Sequence, residues 1–350
     1  MKKIVKQVLG IDVAQKELVV CLGRIYDDLT SELYASKTFA NTTKGFVKLI
    51  EWVAKITDSA VPTRYVMEAT GVYHESLAYF LEEKAIEVSV VLPNKISNYA
   101  RSLDVKTVTD KTASEAIALF GLERQLERWH KPKELYKKIK QLTRERSQLI
   151  DERTTLKNQL HAEQSEAEPY KKSIDRVTKR IALINKQEKE IGVEIAALIK
   201  TDKETQETVT LIRSIPGVGL LTAAIVLGET NGFDLIRNKR QLTSYAGLDV
   251  KEKQSGTSVK GKPRISKKGN KHLRRAMHLP ALAAIRFEER FKTIFVRLVS
   301  KHGIKMKAAV AVQRKLLEMI YTIYKTKKPY YKQFLNKQNN ETLELVQAVK

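Results

Sequence analysis

The sequence predicts an α/β domain with a mixed sheet, then a helical arm, then a mainly α-helical second domain. Three observations carry this. Short β-branched apolar runs alternate with amphipathic stretches over residues 1–130. Leucines and isoleucines then recur every seven positions within 131–205. From 206 to 325 the apolar residues keep helical spacing around a strongly basic centre, and a Lys-, Gln- and Asn-rich tail, expected to be loosely ordered, occupies 326–350.

Taken in order, Val8-Leu9-Gly10-Ile11-Asp12-Val13 reads as a buried strand, and Glu17 to Leu22 as a second one after the turn Ala14-Gln15-Lys16. Leu33 to Phe39 makes a third strand. Phe46, Leu49, Ile50 and Val53 share one face of a helix from Thr43 to Lys55. A strand from Arg64 to Met67 ends at Glu68. A helix around His74 to Glu83, a strand from Val88 to Leu92 and a helix begun by Pro93-Asn94 follow. The last helix of the domain starts near Asp110 and is expected to reach about Arg128.

In the arm, Leu142, Leu149 and Leu156 form one heptad series, and Val177, Ile184, Ile191 and Leu198 another, with Ile174 and Ile181 at the second seam position. Pro169 lies between the two and stops the first helix. The pattern fits a helical hairpin or a pair of coiled-coil arms, and equally a long amphipathic helix packed on its own domain. Arg146, Arg153 and Glu188 interrupt the seam. Beyond it, Ser214-Ile215-Pro216-Gly217-Val218-Gly219 leads into an apolar helix from Leu220 to Gly228. Glycines in such a turn let backbone amides approach a phosphate, as in helix-hairpin-helix DNA binders, or serve a tight turn alone.

The charge balance points to the class of partner. Lys and Arg number 64 against 40 Asp and Glu in 350 residues, a net charge of +24 and a pI near 9.8. Such an excess repels itself in the compact state unless a polyanion neutralises it, and nucleic acid is the commonest one. No apolar run approaches the roughly 20 residues that span a bilayer, so a membrane partner is not expected. Between Arg237 and Arg275 thirteen basic residues face only Asp249 and Glu252. Gly256, Gly261, Pro263 and Gly269 break that stretch into an extended loop suited to tracking a phosphate backbone, with Lys251, Lys253, Lys260, Lys262, Arg264, Lys267, Lys268, Lys271, Arg274 and Arg275 as candidate nucleic-acid contacts. The lone Cys21 reads as a buried thiol, and Asp12 cuts the first apolar run too early for a signal peptide, which fits a reducing cytoplasm.

Asp12 is the sharpest chemical signal, because a carboxylate inside an apolar strand is costly unless paired or bound to a cation. Glu68 ends a second strand and Asp110 opens a helix, so the sheet edge can gather all three. Three such acids suit Mg²⁺ or Mn²⁺, ions that stabilise the attacking and leaving oxygens of phosphoryl transfer. Each acid also has a plain structural use, as an ion-pair partner, an edge residue or a helix-start residue.

The segments Gly10-Ile11-Asp12-Val13-Ala14-Gln15-Lys16, Met67-Glu68-Ala69-Thr70-Gly71-Val72-Tyr73 and Thr109-Asp110-Lys111 resemble the amino-terminal half of insertion sequence family 110, the DEDD transposases guided by a bridge RNA. Ser214-Ile215-Pro216-Gly217-Val218-Gly219, Gln254-Ser255-Gly256 and Arg264-Ile265-Ser266-Lys267-Lys268-Gly269-Asn270 resemble its carboxy-terminal half, and the likeness runs in order over most of residues 5–325. The resemblance implies an RNase H-like, RuvC-type domain over 1–130, a coiled-coil connection over 131–205 and a transposase domain over 206–325. It implies a bacterial, nucleoid-associated enzyme that cuts and rejoins DNA, takes its target and donor from a guide RNA, and works as a dimer or tetramer. By position Asp12, Glu68 and Asp110 match the family's first three acids, and Ser255 its serine nucleophile. The fourth acid of an acid-x-x-acid spacing would fall at Ala113; Glu115, turned by roughly 140° on the helix, and Asp104, before it, are the candidates to replace it. Lys251, Lys253, Lys260 and Arg264 are placed to hold a scissile phosphate, and Ser258 is the local rival to Ser255. A metal-dependent nuclease of the Holliday-junction-resolvase type, and a nucleic-acid scaffold without catalysis, are the competing expectations.

Overall fold

A computed structural model of the chain describes residues 2–331 apart from 70, 104–106, 108, 235, 253, 256–258 and 261–263, and gives the backbone alone at 254, 255, 259 and 260. The chain divides into two compact units, one to Lys131 and one from Pro132.

The first unit begins with a meander of three antiparallel strands, β1 (Ile4–Val13), β2 (Glu17–Tyr26) and β3 (Ser31–Ala40). Helix α1 (Thr43–Ile56) then leads to β4 (Thr63–Glu68), which lies parallel to β1; α2 (Glu75–Glu83) leads to β5 (Val88–Val91), parallel to β4. The result is a mixed five-stranded sheet in the order β3-β2-β1-β4-β5. Two helices close the unit, α3 (Pro93–Ser102) and α4 (Asp110–Glu123).

Alternation along β1 sorts its side chains to two faces. Leu9, Ile11 and Val13 pack with Phe46, Leu49 and Val53 of α1 and Leu77 and Leu81 of α2. Val8 turns the other way with Val66 and Val91, against Ile96 and Tyr99 of α3 and Ile117 and Phe120 of α4. On that second face α4 comes close because glycines meet it. A Cβ on Gly10 would stand 2.3 Å from the Ala118 nitrogen and 2.4 Å from the Ser114 oxygen, and one on Gly121 would stand 2.7 Å from Val8.

Helix α4 stops at Glu123, short of the expected Arg128. Backbone groups beyond it bond to the sheet instead of to a further turn: Trp129 N–H donates to the Val88 carbonyl at 2.8 Å, and the Arg64 and Ser89 side chains donate to the carbonyls of Leu126 and Glu127. These tertiary partners outweigh helix propensity.

The second unit opens with two long helices, α5 (Glu134–Gln164) and α6 (Lys171–Lys200), which pack side by side as a helical hairpin; Pro169 lies in their connection. Leu149, Leu156, Leu160, Val177, Ile181 and Ile184 fill the seam. The charged residues that interrupt the seam answer one another, since Glu188 of α6 accepts from both Arg146 and Arg153 of α5. After Ile191 the buried positions advance to Ile195 and Ile199, so Leu198 leaves the seam and α6 enters the core of the unit by a spacing of four.

That core is built by α7 (Lys203–Arg213), α8 (Leu220–Thr230), α9 (Lys239–Tyr245), α10 (Lys271–Ala276), α11 (His278–Phe287), α12 (Glu289–His302) and α13 (Lys305–Thr326), around Ile212, Leu227, Leu242, Leu273, Phe291, Val312 and Leu316. Between α9 and α10 the chain forms a hairpin of two short antiparallel ladders. β6 (Val250–Lys251) pairs with β9 (Arg264–Ile265), and between them β7 (Gln254–Ser255) pairs with β8 (Val259–Lys260). The basic stretch expected as an extended loop is therefore a β-hairpin. After α13 the start of the tail is held, with Tyr330 N–H donating to Ser214 Oγ at 2.7 Å.

Candidate functional site

In the first unit the pairing of β1 with β4 sets the acids. Ile11 is the partner of Met67 in the parallel register, so Asp12 and Glu68 follow together at the carboxyl ends of adjacent strands. Both fall on the face of Gly10 and Val66, which α4 covers. Crevices at the carboxyl ends of parallel strands are where open α/β sheets bind ligands. Asp110 is the first residue of α4, whose start is fixed by a capping box between Thr109 and Thr112. The close approach at Gly10 brings that helix start to the strand ends.

The electrostatics of Asp12 report the convergence. Its carboxyl is pushed up to about 6, first by burial and then by the charges of Asp110 and of Glu68, against a backbone hydrogen bond from Val13 that favours the ionised form. Two acids distant in sequence thus lie within Coulombic range of the third. Among the described residues no three His, Cys, Asp or Glu side chains stand at the spacing of a metal cage. Like charges at this range repel, by about 4 kcal/mol at 4 Å in a dielectric of 20, and do not close to ligand spacing by themselves. A half-buried carboxylate crowded by two others has the chemistry that suits a divalent cation.

Ala113 is half-buried on α4. Glu115 acts on the thiol of Cys21, together with Lys111, and is not among the charges that shift Asp12. Asp104 lies outside the described residues. Cys21 itself is buried, its pKa raised by that burial. Asn41, which the sequence did not single out, ties the rim of the site by donating to the carbonyls of Ala14 and Tyr73 at 2.9 and 3.3 Å.

In the second unit Ser255 is the last residue of β7, paired with Val259. Its side chain, that of Lys260, and residues Lys253, Gly256, Ser258, Gly261, Lys262 and Pro263 lie outside the described residues. Lys251, Arg264, Lys267, Lys268 and Lys271 are exposed along the foot of the hairpin and the turn into α10. Two of the candidate contacts have partners within the protein. Arg275 makes a bidentate pair with Asp151 at 2.8 and 2.5 Å, and Arg274 donates to the Ala246 carbonyl at 2.8 Å. Both line a cavity of about 680 Å³ with Arg144, Ser147, Lys271 and His272, a concentration of cations at the root of the hairpin.

The glycines between α7 and α8 divide their roles. Gly217 has φ +88°, and a Cβ there would lie 2.7 Å from the Pro280 carbonyl, so it serves the turn and the contact with α11. Gly219 caps α8 with nothing within 4 Å of an added Cβ and makes no side-chain cap hydrogen bond to that first turn.

A family model of the DEDD transposases of IS110 elements, described as a transposase, matches residues 9–165, and one described as the transposase of the IS116/IS110/IS902 family matches residues 209–295. The pilin gene-inverting protein of Moraxella lacunata is 29% identical over 332 residues, covering 93% of this chain and 98% of its own. The transposase for insertion sequence element IS1111A of Coxiella burnetii is 29% identical over 143 residues, 39% of this chain and 37% of its own. Among solved structures, T. thermophilus RuvC in complex with a Holliday junction substrate is similar at 13% identity, covering 32% of this chain and 90% of that one, with a TM-score of 0.25, too low to carry an argument. The two family matches take in the three acids of the first unit and the basic hairpin of the second, and the chain belongs to the IS110 family of transposases.

Proposed function

We propose that this transposase cuts and rejoins DNA through Ser255, with Asp12, Glu68 and Asp110 holding Mg²⁺ or Mn²⁺ in an RNase H-like first domain. The observation that carries the reading is the convergence of three acids far apart in sequence: the parallel register sets Asp12 and Glu68 at the ends of adjacent strands, and Asp110 opens the helix over that face. A bound divalent ion supplies Lewis-acid stabilisation of the charge that develops on the phosphate oxygens.

The serine step conserves bonds. Ser255 Oγ forms a bond to phosphorus as one P–O bond of the phosphodiester breaks; the serine proton leaves to a base or water, and the departing oxygen takes one up. The number of phosphoester bonds is unchanged, so rejoining is the reverse attack by a DNA hydroxyl and needs no nucleotide cofactor. Lys251 and Arg264, at the foot of the hairpin, supply positive charge to the phosphate in flight. Lys267, Lys268 and Lys271 extend that field along the DNA backbone. A guide RNA supplies the sequence recognition, and the chain works as a multimer, dimer or tetramer. The Moraxella relative's name describes gene inversion, an outcome of the same cutting and rejoining.

Excision of the element from a plasmid in cells, with its natural flanks, tests the reading. Asp12→Asn and Ser255→Ala are each expected to abolish the excision junction. Wild-type excision by Ser255→Ala alone leaves a metal-dependent nuclease in which the serine does no chemistry. Wild-type excision by both variants leaves a nucleic-acid scaffold.

A further inference from the structure

Glu229 sits near the end of α8, in an otherwise apolar helix, and is 1% exposed. A buried carboxylate is costly unless its charge is answered. Arg144 of α5 answers it with two bonds, Nε to Oε1 at 2.7 Å and Nη2 to Oε2 at 2.9 Å. Asn270 Nδ2 donates to Oε2 at 2.6 Å, and the Tyr245 hydroxyl donates to the Glu229 carbonyl at 2.9 Å. Burial alone would raise the pKa of Glu229; the hydrogen bonds from Arg144 and Asn270 outweigh it and hold it below its ordinary value.

The positions of Tyr245 and Asn270 give this cluster a purpose. Tyr245 ends α9 just before the first strand of the hairpin, and Asn270 follows its last strand. Around them the two feet are stitched together. Asn270 N–H donates to the Tyr245 carbonyl at 2.6 Å, Lys267 N–H to Gly247 at 3.1 Å, and Ser266 N–H to Asp249 at 2.9 Å. Gly269 makes the contact possible: a Cβ there would lie 2.5 Å from the Tyr245 carbonyl. One buried residue therefore joins both feet of the hairpin to the helices: its carboxylate ties Asn270 to Arg144 of α5, and its backbone carbonyl in α8 holds Tyr245.

We infer that Glu229 is a positioning residue for the hairpin that carries Ser255, acting through Arg144 and Asn270. The inference deepens, and rests on, the reading of Ser255 as the nucleophile. Without the carboxylate the Asn270 foot loses its tie to α5 while the Tyr245 foot stays on the α8 backbone, and the hairpin that carries the serine is held from one side only. A nucleophile misplaced by about 1 Å costs on the order of 100-fold in rate.

The test uses the full chain with two variants. Glu229→Gln removes the charge but keeps the shape. Asn270→Asp keeps the oxygen that caps α10 through the Leu273 N–H and puts an acceptor where Glu229 needs a donor, so the core of α8 is untouched. Hydrogen exchange is read at the amides of Ser266, Lys267 and Asn270, and excision is read in cells. Loss of one charge-assisted bond predicts exchange about tenfold faster at these amides, with the α11–α13 amides unchanged, and an excision frequency lower by tenfold or more. The double variant Glu229→Gln with Arg144→Gln, a neutral hydrogen-bonded pair, is expected to recover protection relative to Glu229→Gln alone. A purely structural role would slow no excision in variants whose α11–α13 protection is intact. Wild-type exchange at the feet together with wild-type excision overturns the inference. If Ser255→Ala excises normally, the serine reading fails, and exchange at the feet still decides whether Glu229 clamps the hairpin.

Discussion

Replacing Asp12 with Asn in the metal-free protein is expected to stabilise it, although one polar group is exchanged for another at a half-buried strand end. The folded carboxyl titrates at about 6, against 3.8 for the ordinary group. About two pKa units correspond to roughly 3 kcal/mol, and because Asp12 is only partly buried, solvent screening reduces this to about 1.5 kcal/mol. The sign follows from proton binding. The folded state holds the Asp12 proton more tightly than the unfolded chain, so this stability is fully present below pH 3.8 and is lost as pH rises through about 6. Asn escapes the loss and still accepts the Val13 N–H. In EDTA at pH 8 the variant is therefore expected to be about 1.5 kcal/mol more stable, some 5 °C in midpoint for a unit of this size. At pH 4.5 about one third of that difference remains. Saturating Mg²⁺ or Mn²⁺ should reverse the order, since an ion present at 100 times its Kd adds about 2.7 kcal/mol to the wild type and little to the variant. Thermal denaturation over this pH range decides the matter. A variant that is less stable at pH 8, by an amount independent of pH, refutes the reasoning.

Other substitutions probe the remaining geometry. Gly10→Ala drives a methyl into the backbone of α4 and is expected to cost roughly 3 kcal/mol in chemical denaturation and to abolish the metal-induced rise in midpoint; a neutral outcome would mean α4 is free to retreat. Gly217→Ala, at a left-handed backbone position pressed on α11, should destabilise by about 2 kcal/mol or more, whereas Gly219→Ala, with open space around it, should leave the melting midpoint unchanged. Alanine at Lys267, Lys268 or Lys271 should each lower the slope of log affinity against log salt for duplex DNA by about 1. Arg275→Ala should lower it less, because Asp151 already neutralises that guanidinium; equal slopes would show that the pair opens on DNA. RNA that copurifies with the chain should be one structured species, and random cellular RNA would remove the guide from the proposal.

Much of the first unit was legible because strands and helices there follow simple periods. Asp12 stood out as a charge in an apolar run, and in the folded strand it lies on the face of Gly10. That this face meets α4 was not legible, because the glycine that admits the helix reads in sequence as an ordinary small residue. The early end of α4 was hidden for a different reason: residues 124–131 have no helix-breaking residue, and only bonds to Val88, Arg64 and Ser89 draw them away. In the arm, the heptads marked the seam, while the interruption at Arg146, Arg153 and Glu188 read as a defect until the two arginines were seen to share one carboxylate. The basic stretch looked like a loop because its strands are two residues long, below the length at which alternation shows. Glu229 was the least visible of all. One acid at the end of an apolar helix looks like a boundary residue, and its partners Arg144 and Asn270 lie 85 and 41 positions away.

The most direct measurement is to stop the reaction on a nicked DNA duplex carrying the end of the element, digest the protein and identify by mass spectrometry the peptide that retains nucleotide. The account predicts a phosphodiester-linked nucleotide on Ser255, absent when Mg²⁺ and Mn²⁺ are chelated and absent in Asp12→Asn. DNA cut to completion with no linked peptide, or with the nucleotide on Ser258, would contradict it.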